Sequence, residues 1–383
     1  MAKIMDIIAK ETKGKSYHTY RYGYDSIGIP SIDYDNDSDK VMKWQDQGET
    51  DDHKNSIDLI EEADNLRNTP SIIKFFLDGS RHVYKVDDIS YSNQVFPVIA
   101  GQVGVGCCSR ENREISKELF YSHMVLVLPD KSDPDGWDKG YFASKLQKIN
   151  QSDELIKLKL QFSAILTYKT SKQASERINL EDLAIAKVQD YMIDCEKMMV
   201  EELVRKKRLG QFSYLLKDGS LEYMEKKKND PRSLQKIKNN YNWVIGVSKS
   251  FNPETIKDHT NRFNAGYIAD LPVFHRTPVA RYKNNYSGDV EFGVWYIRLR
   301  DKKNTQTPFD GVVKVEKILM DDEIQHGIDS DTVDLISASI INERTPTCYG
   351  TDSRWANHLY PVFLTESFVK SKYINTETFL HLF

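Results

Sequence analysis

Two apolar segments that each run into Asp-Gly-Ser constrain the fold of this chain more than any other feature. Residues 72–77 lead into Asp78-Gly79-Ser80, and residues 214–217 lead into Asp218-Gly219-Ser220. A continuous apolar run is typical of a strand buried on both faces, and a glycine lets the chain turn directly after it. The sequence therefore predicts two buried strands that each present an acid at their end.

The recurrence of this pattern matters because one Asp-Gly pair alone favours an ordinary β-turn. Asp78 and Asp218 are far apart in sequence, so they can meet only if both strands belong to one sheet and end at the same edge. Two carboxylates at close range repel each other, and a divalent cation with oxygen ligands relieves that repulsion. Asp78 and Asp218 are therefore candidate metal ligands.

Composition excludes several classes of protein. The 383 residues are 39% hydrophobic and 29% charged with a net charge of −4, which is typical of a globular protein without a diffuse basic surface. The four cysteines show no Cys-x-x-Cys spacing, so neither a zinc site nor a disulfide framework is indicated. No apolar run is long enough for a membrane span, and we expect a cytoplasmic protein.

The order of apolar and polar segments predicts an α/β fold in which a mixed sheet is flanked by helices. Residues 1–70 form an N-terminal extension rich in aromatic side chains, and residues 71–383 form the main domain. Residues 81–86 alternate polar and apolar side chains, which favours a second strand hairpinned to the first. Residues 151–209 have a mainly helical pattern and are interpreted as a helical insertion.

Further candidate residues lie outside the two acidic motifs. Lys249 follows an apolar strand at residues 241–248, where it could clamp a phosphate, although taken alone it is better explained as an ordinary exposed loop lysine. The predicted long helix before the second Asp-Gly-Ser segment carries Glu196, Glu201 and Glu202. Adjacent helix positions point about 100° apart, so Glu201 and Glu202 cannot both face one site.

Five segments occur in one fixed order: residues 78–81, 215–221, 246–250 and 295–299, then Tyr360-Pro361 with Leu364. This ordered set resembles the NurA nuclease family over about residues 70–370. The resemblance implies a ribonuclease-H-like (PIWI-like) core and Mn²⁺- or Mg²⁺-dependent cleavage of DNA. It also implies a homodimer that works with a HerA-like hexameric ATPase.

The resemblance also implies roles for particular residues. Asp78 and Asp218 match the family's metal-binding acids, Lys249 its active-site lysine and Tyr360 the tyrosine of its terminal motif. Arg81, within the first motif, and Lys249 are expected to contact nucleic acid.

Two positions of the family pattern stay open. Glu201 fits the spacing of the family's helical glutamate best, with Glu202 and Glu196 as alternatives. Phe368 stands where the family usually has histidine or aspartate, and Glu366 is the candidate to replace that ligand.

Three functions are compatible with these features. The first is a two-metal DNA nuclease that acts in DNA end processing or antiphage defence. The second is a scaffold or DNA clamp of the translocase complex that has lost full metal binding, an alternative supported by Phe368. The third is a ribonuclease on the same fold.

Overall fold

The structure, a computed structural model, describes residues 4–16, 22–23, 42–43, 48–133, 139–170, 179–222, 231–253, 256–257, 264–283, 290–302, 308–346 and 353–383. Within these ranges the helices are α1 (Ile4–Thr12), α2 (Ile60–Leu66), α3 (Lys139–Asn150), α4 (Asp153–Leu158), α5 (Leu180–Arg205), α6 (Pro231–Tyr241), α7 (Ala265–Asp270), α8 (Asp321–His326), α9 (Ser330–Glu343), α10 (Tyr360–Lys370) and α11 (Thr376–Leu380). None of these helices is long and apolar enough to cross a membrane.

The strands of the same ranges are β1 (Lys15–Ser16), β2 (Tyr22–Gly23), β3 (Met42–Lys43), β4 (Ile57–Asp58), β5 (Ile73–Tyr91), β6 (Gln94–Glu111), β7 (Glu114–Pro129), β8 (Phe162–Tyr168), β9 (Tyr214–Asp218), β10 (Val244–Ser248), β11 (Ile256–Lys257), β12 (His275–Arg276), β13 (Ala280–Lys283), β14 (Glu291–Arg298) and β15 (Val312–Ile318).

One large sheet organises the molecule. Its main path runs β4-β12-β14-β15-β10-β9-β5-β6-β7-β8, while β1 and β2 pair with β5 and β13 pairs with β14. Most neighbours are antiparallel, but β5-β9, β9-β10 and β7-β8 are parallel. Helix α5 packs on one face of β5–β7, and α10 packs on the other face of β5 and β6. The predicted α/β class, a mixed sheet flanked by helices, is confirmed.

Strand β5 corrects the prediction of a turn at the first Asp-Gly-Ser. The strand continues unbroken to Tyr91, and Arg81 pairs with Val103 of β6 in the same ladder as Asp78. The turns of this meander lie instead at Ser92-Asn93 and Asn112-Arg113, where all four residues have positive φ. Two-residue hairpin loops with positive φ match the twist of their flanking strands. The predicted hairpin partner at residues 81–86 is therefore the continuation of the same strand.

The segment at residues 151–209 is helical at both ends and contains a strand between them. β8 pairs in parallel with β7, and its end residues Phe162 and Tyr168 are almost fully buried. The Tyr168 hydroxyl donates to the Pro97 carbonyl at 2.9 Å. Aromatic and aliphatic side chains at β8 favour a pleated, half-buried surface over a helix.

The described parts of residues 1–70 belong to the same folded body as the rest. The α1 side chains of Ile4, Met5 and Ile8 lie in the main hydrophobic core. Strands β1 and β2 pair with β5, and β4 pairs with β12. This part of the chain is therefore integrated into the sheet rather than attached to its surface.

Candidate active site

Three parallel strands bring the predicted acids together. β9 lies between β5 and β10, with Leu77 paired to Lys217 and Asp218 paired to Val247. Asp78 and Asp218 therefore sit side by side on neighbouring strands. Lys249 follows the end of β10 and reaches the same place.

Asp78, Asp218, Lys249 and Glu366 form what is called here the acidic cluster. The Lys249 ammonium donates to Asp218 Oδ2 at 2.9 Å and lies 3.8 Å from Glu366 Oε2. Glu366 belongs to α10, and its other oxygen accepts a 2.6 Å hydrogen bond from Lys370. The interior of β5, the ends of β9 and β10 and helix α10 thus converge on one small volume.

Asp78 has the least favourable surroundings for a charged carboxylate in the cluster. The residue is 6% exposed, and no hydrogen-bond donor to its carboxylate is found in the described part of the chain. Burial raises the pKa of Asp78 well above its ordinary value, and the charge of Asp218 raises it further, while Lys249 opposes both. A buried carboxylate of this kind gains strongly from a nearby cation.

Two other members of the cluster, Lys249 and Glu366, are stabilised in their ionised forms. Burial alone would lower the pKa of Lys249, but the charges of Asp218 and Asp78 outweigh it and raise that pKa. Burial would raise the pKa of Glu366, but the hydrogen bond from Lys370 and the charge of Lys249 lower it on balance. Lys249 and Glu366 therefore favour their charged forms, whereas burial and neighbouring charge oppose ionisation of Asp78.

Glu196 of α5 lies behind the cluster, on the opposite face of the sheet. A Cβ on Gly79 would lie 2.3 Å from Glu196 Oε1, so Glu196 packs directly against the Gly79 backbone. Because consecutive strand residues point to opposite faces, Asp78 points away from Glu196. Gly79 thus allows helix α5 to pack closely on β5. The sequence predicts a turn at this glycine, and the structure has this close packing instead.

Glu196 is paired with Lys217 at 3.1 Å, and both side chains are buried. The Lys217 ammonium also donates to the carbonyls of Asp218, at 2.8 Å, and Ser220, at 3.3 Å. The Glu196–Lys217 pair therefore supports the backbone that carries Asp218 without joining the acidic cluster itself.

A second buried glutamate anchors the second Asp-Gly-Ser segment. Glu316 of β15 accepts hydrogen bonds from the Ser220 hydroxyl at 2.8 Å and the Leu221 amide at 2.7 Å. Gly219 has φ +84°, so this segment does turn as the sequence predicts. Sequence reasoning missed Glu316 and Lys217, although a charged residue inside an apolar strand is the signal that marks both.

Glu201 and Glu202 do not reach the acidic cluster. Glu201 forms a 2.7 Å ion pair with Lys236, and Glu202 pairs with Arg205 and Lys206 at the end of α5. Glu196 and Glu201 are five residues apart and hence about 140° apart around the helix, so only one of them can face the sheet. The preference for Glu201 on spacing is therefore corrected: the structure directs Glu196 inward.

Two other predicted residues also lie elsewhere. Arg81 is on the α5 side of β5, where its Nε donates to Gln189 at 2.6 Å, because it has the same strand parity as Gly79. Tyr360 is 46% exposed at the first turn of α10, six residues before Glu366 and thus on another side of that helix. Neither residue contacts the acidic cluster.

The chemistry of the cluster fits a hard divalent cation. Its potential ligands are carboxylate oxygens, the donors that Mn²⁺ and Mg²⁺ prefer. Within the described ranges, no three His, Cys, Asp or Glu side chains come close enough to share one ion. Lys249 is instead the cation that Asp218 contacts. The cluster thus offers suitable oxygen donors, and in this structure the Lys249 ammonium contacts one of them, Asp218.

Comparison with known proteins gives a likeness to a solved structure. The crystal structure of the NurA nuclease from Sulfolobus solfataricus is similar over 77% of this chain and 78% of that chain, with 12% sequence identity and a TM-score of 0.39. No family model and no curated protein matches the chain. The activity is therefore inferred from the side chains of the acidic cluster.

Proposed function

We propose that this protein is a metal-dependent nuclease that hydrolyses DNA phosphodiesters on a ribonuclease-H-like core. The observation that carries the proposal is the buried Asp78 carboxylate, which has no hydrogen-bond donor among the described residues and lies beside Asp218. Two adjacent carboxylates in a partly closed site are costly without a cation and useful with one. The order of the five sequence motifs supports the same reading.

Each member of the cluster has a defined role in this proposal. Asp78 and Asp218 would hold Mn²⁺ or Mg²⁺, and Glu366 is the candidate for a further ligand. When bound, such an ion would activate a water molecule for attack and would offset charge on the phosphate. The Lys249 ammonium, released from Asp218, would stabilise negative charge on the phosphoryl oxygens. Lys217, Glu196 and Glu316 hold the Asp218 backbone in place.

The direct test is cleavage of end-labelled DNA with Mn²⁺ by the wild type and by Asp78→Asn and Asp218→Asn. Both substitutions keep size and polarity but remove a negative ligand, and we expect cleavage to fall more than about 100-fold. Glu201→Gln is the matched control, because Glu201 pairs with Lys236 outside the cluster, and it should cleave at the wild-type rate. Wild-type cleavage by Asp78→Asn would contradict the proposal.

A scaffold or DNA clamp without catalysis is the second candidate function. It is favoured by the Lys249–Asp218 contact, since an ammonium already balances one of the two aspartates, and by Phe368 in place of a ligand. A clamp would bind DNA equally well with Mn²⁺ or with a chelator and would leave it intact. Testing an RNA strand of the same sequence in the same assay distinguishes the DNA nuclease from the ribonuclease alternative.

The partner and the biological setting are extensions of this proposal. The sequence resemblance supports a homodimer that works with a HerA-like hexameric ATPase in DNA end processing or antiphage defence. Co-purification of the full chain with a co-expressed ATPase of that type tests the partnership. Truncation of the N-terminal extension is unsuitable for this purpose, because α1 contributes Ile4 and Ile8 to the core.

A further inference from the structure

Asn357 is a buried residue whose side chain binds three backbone groups beside the acidic cluster. It ends a short 3-10 helix (Ser353–Asn357) and is 6% exposed. Its Nδ2 donates to the Lys249 carbonyl at 2.6 Å and to the Val312 carbonyl at 2.9 Å, and its Oδ1 accepts the Gly311 amide at 2.5 Å. Both N–H donors and the oxygen of the side-chain amide are therefore used, and a carboxylate of the same size could not make the two donated bonds.

These hydrogen bonds lie where two strands of the sheet separate. β10 and β15 are paired in antiparallel register as far as Ser248 and Lys314. Continuing that register would place Lys249 opposite Val313, but the ladder ends one residue earlier. The Asn357 amide bridges the opening, because it donates to a carbonyl on each side of it. Lys249 is thus the first residue beyond β10, and a side chain rather than the sheet holds its carbonyl.

Asn357 also lies close to the start of the helix that carries Glu366. α10 begins at Tyr360, three residues after Asn357. The bonds of Asn357 therefore join the backbone of Lys249 to the segment that enters α10. At the cluster, the Lys249 ammonium lies 2.9 Å from Asp218 Oδ2 and 3.8 Å from Glu366 Oε2. One buried amide thus connects the backbone of this lysine with the helix of a carboxylate that its ammonium faces.

We propose that Asn357 is a positioning residue that fixes the Lys249 ammonium for the hydrolysis of the phosphodiester. It acts through the Lys249 backbone, because the residue beyond β10 gains freedom to move when its carbonyl loses the donated bond. Misplacing a group that stabilises charge by about 1 Å can cost about 100-fold in rate. This inference rests on the proposed nuclease function for the reaction that Lys249 serves.

Steady-state kinetics of DNA cleavage by Asn357→Ala give the first test. The kcat should fall about tenfold while KM stays within about twofold of the wild type, because the ammonium acts on charge that develops during the reaction. Asn150→Ala is the matched control. The Asn150 side chain also makes two backbone bonds, with the Phe162 amide at 2.8 Å and the Phe162 carbonyl at 2.9 Å, but it fastens β8, three strands away from β5. It should lose stability and keep the wild-type kcat, and an unchanged kcat in folded Asn357→Ala would overturn the proposal.

A double-mutant cycle with Lys249 separates positioning of the ammonium from general damage. Lys249→Met keeps an unbranched side chain and removes the charge. If Asn357 acts through the ammonium, Asn357→Ala should lower the kcat of the Lys249→Met protein by less than about twofold. A further loss of about tenfold in that background would show that Asn357 acts independently of Lys249 and would overturn the proposal. Asn357→Ser, which keeps one hydroxyl donor, takes the place of the alanine variant in the same cycle if Asn357→Ala does not fold.

Acylation of lysine side chains, followed by mass spectrometry, gives a readout that needs no DNA. The side chain of Lys249 is 10% exposed and that of Lys217 is 6% exposed, so both should react slowly in the wild-type protein. In Asn357→Ala, with a chelator present, Lys249 should react about tenfold faster while Lys217 keeps its rate, because the opening is local. Equal acceleration of both lysines, or of neither, would contradict the positioning role.

The two proposals fail in different ways. If the wild type leaves DNA intact but Lys249 alone reacts faster in Asn357→Ala, Asn357 positions the lysine and the nuclease proposal is wrong. If the wild type cleaves DNA and Asn357→Ala keeps both its kcat and its acylation pattern, the nuclease proposal stands and the positioning role is wrong.

Discussion

At the scale of single residues, the neighbours Asp78 and Gly79 serve the two faces of one strand. Asp78 faces α10 and contributes its carboxylate to the acidic cluster, whereas Gly79 faces α5 and leaves room for Glu196. The same dipeptide at residues 218–219 makes a turn, with Gly219 at φ +84°. Identical sequence therefore serves different purposes, and the partner elements decide which one applies.

Gly79→Ala should destabilise the fold by about 1–3 kcal/mol, as overpacking of a tight site usually does. The new methyl group would displace the Glu196 carboxylate from its buried ion pair with Lys217. Urea denaturation of the variant measures the loss.

Gly210→Ala is the control for this substitution, because a Cβ at Gly210 meets no atom within 4 Å and φ there is not positive. If Gly79→Ala is as stable as Gly210→Ala, the close packing of Glu196 on β5 is contradicted.

The raised pKa of Asp78 gives a signed dependence of stability on pH. A carboxyl whose pKa is higher in the folded state favours folding at low pH and loses that contribution as pH rises through its folded pKa. In a chelating buffer at pH 7, Asp78→Asn should therefore have a higher free energy of unfolding than the wild type.

The difference between the two proteins should close below about pH 4, where aspartate is protonated in both states. Denaturation curves of both proteins between pH 3 and pH 8 measure it. A less stable Asp78→Asn protein at pH 7 would show that the Asp78 carboxylate is not an uncompensated charge.

At the scale of elements, a buried arginine fastens the N-terminal part of the chain to the sheet. Arg276 of β12 is fully buried and donates to both oxygens of Glu49, at 3.1 and 2.7 Å, and to Asp334 of α9. Glu49 also accepts the Val279 amide at 2.8 Å. These bonds join residues from the first 70 to β12 and α9.

Glu49→Ala should lower the free energy of unfolding by about 3 kcal/mol, because it leaves the buried Arg276 guanidinium without its main partner. Asp51→Ala is the matched control two residues away, since the Asp51 side chain is 63% exposed. Thermal or urea denaturation compares the two. Equal stabilities would mean that the Glu49–Arg276 pair does not hold these elements together.

Sequence patterns predicted an element well wherever one continuous apolar run determines a strand or one apolar face determines a helix. The apolar runs placed β9, β10 and the first part of β5, and the periodicity placed α5. The patterns could not distinguish a turn at Asp78-Gly79 from continued strand, because that choice depends on pairing with β6. They also could not choose between Glu196 and Glu201, because the spacing of acids on a helix does not fix which side docks on the sheet.

At the scale of the whole molecule, the acidic cluster exists only because β5, β9, β10 and α10 meet. Asp78 and Asp218 could be proposed as partners from the repeated motif, and Lys249 from its position after a strand. A charge inside an apolar strand marks Lys217 and Glu316, but their supporting roles could not be proposed, because both act through backbone groups that only the folded chain brings within reach. The position of Arg81 could not be predicted either, because the parity of an unbroken β5 places its side chain on the face opposite the cluster.

Calorimetric titration with Mn²⁺ tests the central claim, that Asp78 and Asp218 together hold a divalent cation. The wild type and Glu201→Gln should bind Mn²⁺ with the same affinity, because Glu201 is outside the cluster. Asp78→Asn and Asp218→Asn, each checked for an intact fold, should show no binding at the same concentrations. Wild-type Mn²⁺ affinity in Asp78→Asn, or no binding by the wild-type protein, would contradict the account.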